Sequence, residues 1–260
     1  MATVTAQEEG APLAIGSVIG NAFGVMTGNP LTVFGIAFIF GALPQALINY
    51  FIQFDLAAER DAQIGMAAIY LLSVVAFVLC SALAQSALVR ATSAYLDGRT
   101  ALIGECIATG IAKVLPLIGA TILLVLGFLL GFLLFVIPGI ILLLMWAVTI
   151  PALVEEDVGA LEAFGRSRYL TKGSRWRIWF LMIIVAVITW LLSALTAIPG
   201  IIAGVNDASG PTASLGAIAI AALTSTLATA LWSTMITALY FALRERREGL
   251  RSDRLADVFA

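Results

Sequence analysis

Five long stretches of this chain contain no charged residue. They cover residues 10–54, 62–89, 114–154, 178–206 and 208–243. A helical membrane crossing needs roughly 20 apolar residues, so each stretch is long enough for one. Unpaired backbone groups are too costly in hydrocarbon for anything but helices or closed barrels, and these stretches lack the alternating pattern of barrel strands. The sequence therefore predicts an all-α, polytopic integral membrane helix bundle.

Composition supports a bilayer as the solvent. Hydrophobic residues make up 61% of the chain and charged residues only 12%, whereas soluble domains average about 45–50% and about 25%. The net charge of −2 and the absence of a basic stripe away from the membrane flanks argue against a nucleic-acid partner.

The stretch 114–154 decides the number of crossings. As one helix its 41 residues would extend about 60 Å, twice the hydrocarbon thickness. Pro138 and Gly139 lie near its centre and are typical of a turn. We therefore predict six spans, at residues 30–54, 65–89, 114–136, 138–154, 178–198 and 215–243.

The positions of the basic residues support six spans. With six, 13 of the 14 Lys and Arg residues fall on the side of the N-terminus, and only Arg60 falls on the other. Five spans would divide them 3 against 11. Because Lys and Arg mark the cytoplasmic side, both termini are predicted to be cytoplasmic. The excess of Arg over Lys favours a GC-rich genome, hence a bacterial inner membrane.

The predicted organisation has three parts. Residues 1–29 form a cytoplasmic tail and an interfacial helix, 30–243 the six-span membrane domain, and 244–260 a basic cytoplasmic tail. The stretch 13–28 carries Gly at every fourth position, which weakens a helix, and Asn29-Pro30 then interrupts it. A short interfacial helix is the prediction there, and a seventh span is the alternative.

A five-residue string occurs twice. Ile-Pro-Gly-Ile-Ile begins at Ile137 and again at Ile198, which predicts hairpin turns at Pro138, Gly139, Pro199 and Gly200. Juxtamembrane helices are predicted at 101–113 and 158–172, each before the span that leads to one of these strings. Together with 13–28 they suggest three units of interfacial helix plus transmembrane hairpin, the first of them imperfect.

Part of the chain resembles a known family. The motifs are Tyr-Leu-Asp-Gly from Tyr95, Pro-Ala-Leu-Val-Glu from Pro151, Arg-Ser-Arg-Tyr-Leu-Thr-Lys-Gly from Arg166, and Trp176-Arg177. They resemble the membrane domain associated with glycerophosphoryl diester phosphodiesterases and its stand-alone relatives. The resemblance implies a six-helix membrane module that is sometimes fused to a catalytic domain. This chain has no room for that domain and contains no His, so the hydrolytic activity is not expected here.

Residues suited to catalysis are scarce. The chain has no His and only two Cys, which argues against acid-base catalysis by His and against a zinc site, and no cofactor is predicted. Glu155, Glu156 and Asp157 could hold a divalent cation or form a solvated helix end. Gly127 and Gly131 could mediate self-association or intramolecular packing. Arg90 could face the bundle interior or extend to the interface.

One basic cluster is the candidate binding site. It comprises Arg166, Arg168, Lys172, Arg175 and Arg177, interleaved with aromatic residues. Each such side chain near an anionic leaflet is worth about 1 kcal/mol, so the cluster is predicted to hold lipid headgroups. The alternative is an ordinary topology signal with an aromatic belt.

The predicted function is that of a non-enzymatic membrane module. It would organise lipid, anionic lipid in particular, or a membrane or peripheral partner protein at the cytoplasmic leaflet. The alternative is a transporter or flippase of a lipid or apolar small molecule, which needs a cavity but no charge inside the membrane. An intramembrane enzyme is a third hypothesis.

Overall fold

The computed structural model describes residues 14–54, 63–204 and 211–249, with side chains described over 14–48, 71–194 and 218–249. Within these ranges the chain is almost entirely helical and contains no strand. The helices are α1 (Ile15–Gly28), α2 (Pro30–Ile36), α3 (Leu43–Phe54), α4 (Gln63–Leu96), α5 (Ile103–Leu134), α6 (Val136–Met145), α7 (Thr149–Glu156), α8 (Ala160–Thr171), α9 (Arg175–Gly204) and α10 (Pro211–Glu248). A π-helical segment, Ala37–Ala42, joins α2 to α3.

Six segments are long and apolar enough to cross a membrane. They are Pro30–Ile48, Leu71–Leu96, Ile103–Leu134, Val136–Glu156, Arg175–Ala194 and Ile218–Glu248. The prediction of an all-α helix bundle with six spans is confirmed. The protein is a multi-pass membrane protein.

Helix α1 precedes the first span as a separate element. Its 14 residues extend about 21 Å, less than the roughly 30 Å of a hydrocarbon core. Val18, Ala22 and Val25 are fully buried and pack α1 into the main core. The chain leaves helical geometry at Asn29, whose side-chain amide donates a hydrogen bond to the Ala101 carbonyl at 3.3 Å. The helix is thus short, as predicted for 13–28, and too short for a seventh span.

The turn between the third and fourth spans lies earlier than predicted. Phe135 is extended (φ −166°, ψ 157°) and separates α5 from α6, so Pro138 is the third residue of a helix. The first turn of a helix has no partner for its N–H groups, and Pro therefore loses no hydrogen bond there. Gly139 has a packing role, because a Cβ at this position would overlap the Phe132 ring of α5.

The second predicted turn is also wrong. The backbone of α9 stays helical through Pro199 and Gly200 and ends at Gly204. Pro is tolerated inside transmembrane helices, where local adjustments satisfy the backbone groups it releases. Both Pro-Gly pairs thus lie inside helices, and neither is the turn between two spans.

The proposed repeat is only partly present. The juxtamembrane helix predicted at 158–172 is the separate helix α8, but the one predicted at 101–113 is continuous with its span in α5. Helix α5 passes through Pro116 without ending and extends about 48 Å, so one end must project beyond the hydrocarbon. The basic tail predicted at 244–260 also differs from the structure at its start, because residues 244–248 are the last residues of α10.

Helix α10 lies at the centre of the bundle. It packs against α1, α4, α9 and the π-helical segment, and it buries Leu239, Tyr240 and Leu243 completely. Helix α4 faces this core with three small buried residues, Ala87, Ala91 and Ala94. A smaller core joins α4 and α5 to α7 and α8 through Leu117, Leu153 and Ala163. The short helices α7 and α8 are therefore held by packing on the long ones.

Candidate functional site

Charged side chains meet at one end of the bundle, which we call the basic end. It comprises the C-termini of α4, α7 and α10, the N-termini of α5 and α9, and helix α8. Ion pairs connect these elements: Arg90 Nη2 lies 2.9 Å from Glu105 Oε1, and Lys113 pairs with Asp157. These pairs connect α4 to α5 and α5 to the end of α7. Of the basic residues predicted to share one side of the membrane, Arg251 and Arg254 lie outside the described residues.

Arg166 lies at the centre of this region. Its Nε is 2.7 Å from both carboxylate oxygens of Glu156, and its Nη2 pairs with Glu248. Burial disfavours the charged form, but the hydrogen bonds to Glu156 and Glu248 outweigh it and raise the pKa of Arg166. One arginine of α8 therefore joins α7 to α10.

Two residues of α10 complete this network. The Tyr240 hydroxyl donates to Glu156 Oε1 at 2.7 Å, and Arg244 Nε donates to Glu248 Oε2 at 3.0 Å. Tyr240, Arg244 and Glu248 are four residues apart, so they share one face of α10. This face of α10 was not predicted from the sequence, although the four-residue spacing of Tyr240, Arg244 and Glu248 was a signal that could have revealed it.

A pocket of about 410 Å³ opens beside the network. It is lined by Arg168, Lys172, Gly173, Arg175 and Trp176, at the junction of α8 and α9. Arg168 and Lys172 are exposed, whereas Arg175 is half-buried. The Arg175 Nε is buried, and no described residue accepts a hydrogen bond from it. Three cations thus share one pocket, which we call the basic pocket.

The loop under the basic pocket is held by the end of α10. Arg246 donates to the Ser174 hydroxyl and Arg247 to the Lys172 carbonyl. Gly173 has a φ of +82°, in the left-handed region that favours glycine. These contacts fix the turn from α8 into α9, and with it the positions of Lys172 and Arg175.

The structure divides the five predicted headgroup residues. Arg168, Lys172 and Arg175 come together in the basic pocket. Arg166 does not line this pocket, because its guanidinium is already paired with the carboxylates of Glu156 and Glu248. Arg177 is half-buried in the first turn of α9 and is not among the residues that line the pocket.

The acidic run at the end of α7 does not form a metal site. Asp157, at a φ of +54°, ends the helix and turns toward Lys113, while Glu156 turns toward Arg166. The described part of the chain contains no group of three or more side chains placed to hold a metal ion. Glu156 is also not a solvated helix end, because only 16% of its side chain is exposed.

Arg90 is neither deep in the bundle nor free at the interface. It pairs with Glu105 of α5, and the two side chains are 31% and 41% exposed. This partially solvated pair links α4 to α5.

A second cavity lies inside the bundle, between α4, α5, α9, α10 and the junction of α6 with α7. It has a volume of about 180 Å³ and is partly open. Its lining is mostly apolar but includes the side chains of Gln85, Ser233 and Thr237, with Trp146 and Trp232 among the walls. We call this cavity the crevice.

Gly127 and Gly131 serve packing inside the protein. A Cβ on Gly127 would overlap the Trp146 ring, and one on Gly131 would press on Leu142 and on the Gly139 backbone. Both glycines of α5 thus face the α6 side of the hairpin. Of the two roles predicted for this pair, the structure supports intramolecular packing.

A comparison of the chain with protein-family models, with curated proteins and with solved structures gives no match in any of the three. The resemblance to the membrane domain associated with glycerophosphoryl diester phosphodiesterases therefore stays a prediction from the motifs.

Proposed function

We propose that this protein is a non-enzymatic integral membrane module that retains anionic lipid at the cytoplasmic leaflet of a bacterial inner membrane. Both of its termini would then be cytoplasmic. The observation that carries the proposal is the basic pocket, in which Arg168, Lys172 and Arg175 surround one space at the junction of α8 with the fifth span.

Charge and shape both favour a phosphate headgroup. No described carboxylate lines the basic pocket, so its cations are not neutralised from within. Its volume of about 410 Å³ falls within the usual range of about 300–1,000 Å³ for small-molecule sites. Trp176, 72% exposed, adds an amphipathic ring of the kind found at headgroup level.

The test is lipid retention measured by native mass spectrometry. An Arg168→Gln/Lys172→Gln variant should co-purify with less phosphatidylglycerol or cardiolipin, because its affinity should fall by about thirtyfold at low salt when two cations that contribute about 1 kcal/mol each are removed. The difference should shrink as salt is added, because exposed charges are screened beyond about 10 Å at 0.1 M.

The matched control is Arg99→Gln/Arg177→Gln, which removes the same charge outside the pocket. It should retain lipid nearly as well as the parent protein. Equal losses in both variants would reduce the cluster to a topology signal. Unchanged retention in the pocket variant would contradict the lipid role and favour a membrane or peripheral partner protein at the basic end.

The crevice favours a second candidate function, the transport of a lipid or apolar small molecule. It provides a partly open space with polar groups inside the bundle, without an ionisable side chain among its described lining residues. Flipping of a fluorescent phospholipid in proteoliposomes separates the two functions. A retention module should leave the flipping rate at the protein-free level.

A further inference from the structure

The crevice lies where the fourth span is interrupted. Helix α6 begins after Phe135 and ends at Met145, and α7 begins at Thr149. The ten residues of α6 extend about 15 Å, half of a hydrocarbon core of roughly 30 Å. Non-helical backbone at such depth is tolerated where it is buried in protein or lines a cavity, and broken helices recur at binding sites of membrane proteins.

We propose that the crevice binds a neutral amphiphile, whose hydroxyl or amide group enters the crevice and whose apolar chain extends out of it. This site is separate from the basic pocket. The proposal does not depend on anionic lipid being retained there.

Two polar side chains in the crevice lack partners. No described residue hydrogen-bonds to the carboxamide of Gln85 or to the hydroxyl of Ser233, although both side chains line the crevice. By contrast, the neighbouring Thr237 hydroxyl is satisfied by the Ser233 carbonyl at 2.8 Å. Polar groups in apolar surroundings cost free energy when unpaired, so Gln85 and Ser233 favour an occupant that hydrogen-bonds to them.

The remainder of the lining restricts the charge and size of that occupant. No described lining residue is ionisable, so nothing there would compensate a buried charge. A volume of about 180 Å³ equals the liquid volume of roughly six water molecules. A small polar head with its first few methylenes fits this space, and the partly open side leaves a path for the rest of the chain.

Two tryptophans provide a direct readout. Trp146 and Trp232 both line the crevice, and Trp146 is held edge-on by Phe164, with ring centroids 5.0 Å apart. A variant with Trp176, Trp179 and Trp190 changed to Phe would keep fluorescence from the crevice alone. In phosphatidylcholine nanodiscs, a bromine-labelled medium-chain alcohol should quench it saturably. The matching alkyl bromide and bromoalkyl sulfate should quench it only in proportion to their partition into the bilayer.

Substitutions in the crevice then test recognition. Gln85→Leu should weaken binding of the alcohol by about fivefold, the effect of one hydrogen bond of typical net strength. Ala147→Leu should abolish saturable quenching by filling the space. Gln45→Leu, which changes a glutamine of another span outside the crevice, is the matched control.

Size-exclusion and thermal unfolding profiles would identify variants that fail to fold. The comparison among the three bromine probes uses no crevice variant, so it tests the proposal even if such a variant misfolds. Saturable quenching by the alcohol alone, weakened by Gln85→Leu, supports the proposal. Equal, non-saturable quenching by all three probes would overturn it and leave water or bulk lipid as the occupant. Saturable binding insensitive to Gln85→Leu would overturn it as well.

Discussion

The Nε of Arg166 lies 2.7 Å from both carboxylate oxygens of Glu156. The two side chains are only 23% and 16% exposed, and Tyr240 and Glu248 extend the contact into α10. Arg166 was predicted to bind a lipid headgroup and Glu156 was a candidate ligand for a divalent cation, but the two charges neutralise each other. The pair is part of the architecture of the basic end.

The first prediction concerns the stability that this pair provides. Arg166→Gln should lower the free energy of unfolding by about 1–2 kcal/mol, because it removes the charged partner of Glu156 and one of the two partners of Glu248. Tyr240 and Arg244 remain as their other contacts. The figure is below the roughly 3–5 kcal/mol typical of fully buried pairs, since these side chains are partly solvated. Thermal unfolding in detergent would measure the change.

Arg168→Gln is the control for this prediction, because Arg168 is exposed and lines the basic pocket. It should leave the unfolding midpoint nearly unchanged. A double-mutant cycle with Glu156→Gln should show that the two losses are not additive. Additive losses, or lower lipid retention in Arg166→Gln without lower stability, would contradict a purely structural role for Arg166.

The second prediction concerns topology. In a Cys-free background, a single Cys at Phe135 should react with an impermeant thiol reagent from outside the cell, whereas Cys at Thr100 or Glu162 should not. Phe135 is 74% exposed in the turn between α5 and α6. Gly139 would be a poor probe, because a side chain there would overlap Phe132.

Permeabilised cells are the control, since the probes at Thr100 and Glu162 are exposed and should then react. Labelling of Glu162 from outside intact cells would refute the orientation with cytoplasmic termini. The other turns on the predicted outer side, near residues 61 and 207, lie outside the described residues.

The third prediction tests how α5 packs. Gly127→Ala should destabilise the protein by about 1–3 kcal/mol, the usual cost of overpacking, because the new methyl group would overlap the Trp146 ring. That ring has little freedom to shift, since Phe164 packs against it. Gly119→Ala, in the same helix with open space around it, should be neutral or slightly stabilising.

The oligomeric state of these two variants provides a further check. If Gly127 and Gly131 mediated self-association, Gly127→Ala would shift the protein toward smaller species in size-exclusion chromatography with light scattering. Intramolecular packing predicts the same oligomeric state for Gly127→Ala, Gly119→Ala and the parent protein.

Local physical properties explain what could be predicted from the sequence. The six spans follow from hydropathy and length, because a bilayer accepts only long apolar helices. The separate helix before Asn29-Pro30 follows from local backbone chemistry in the same way. The turns at Pro138 and Pro199 were mispredicted because Pro is locally ambiguous. It is compatible with the first turn of a helix and with the interior of a transmembrane helix as well as with a loop, so its presence alone does not identify a turn.

The sequence by itself determined the fold class, the number of spans and the clustering of basic residues at one end, because each depends on composition along a short segment. Only the tertiary structure decided which of those residues are available to a ligand. Arg166 and Arg168 are two positions apart, yet one meets Glu156 and Glu248 while the other lines an open pocket. The difference arises from carboxylates 10 and 82 residues away along the chain, which only the packing of α7 and α10 against α8 brings into contact.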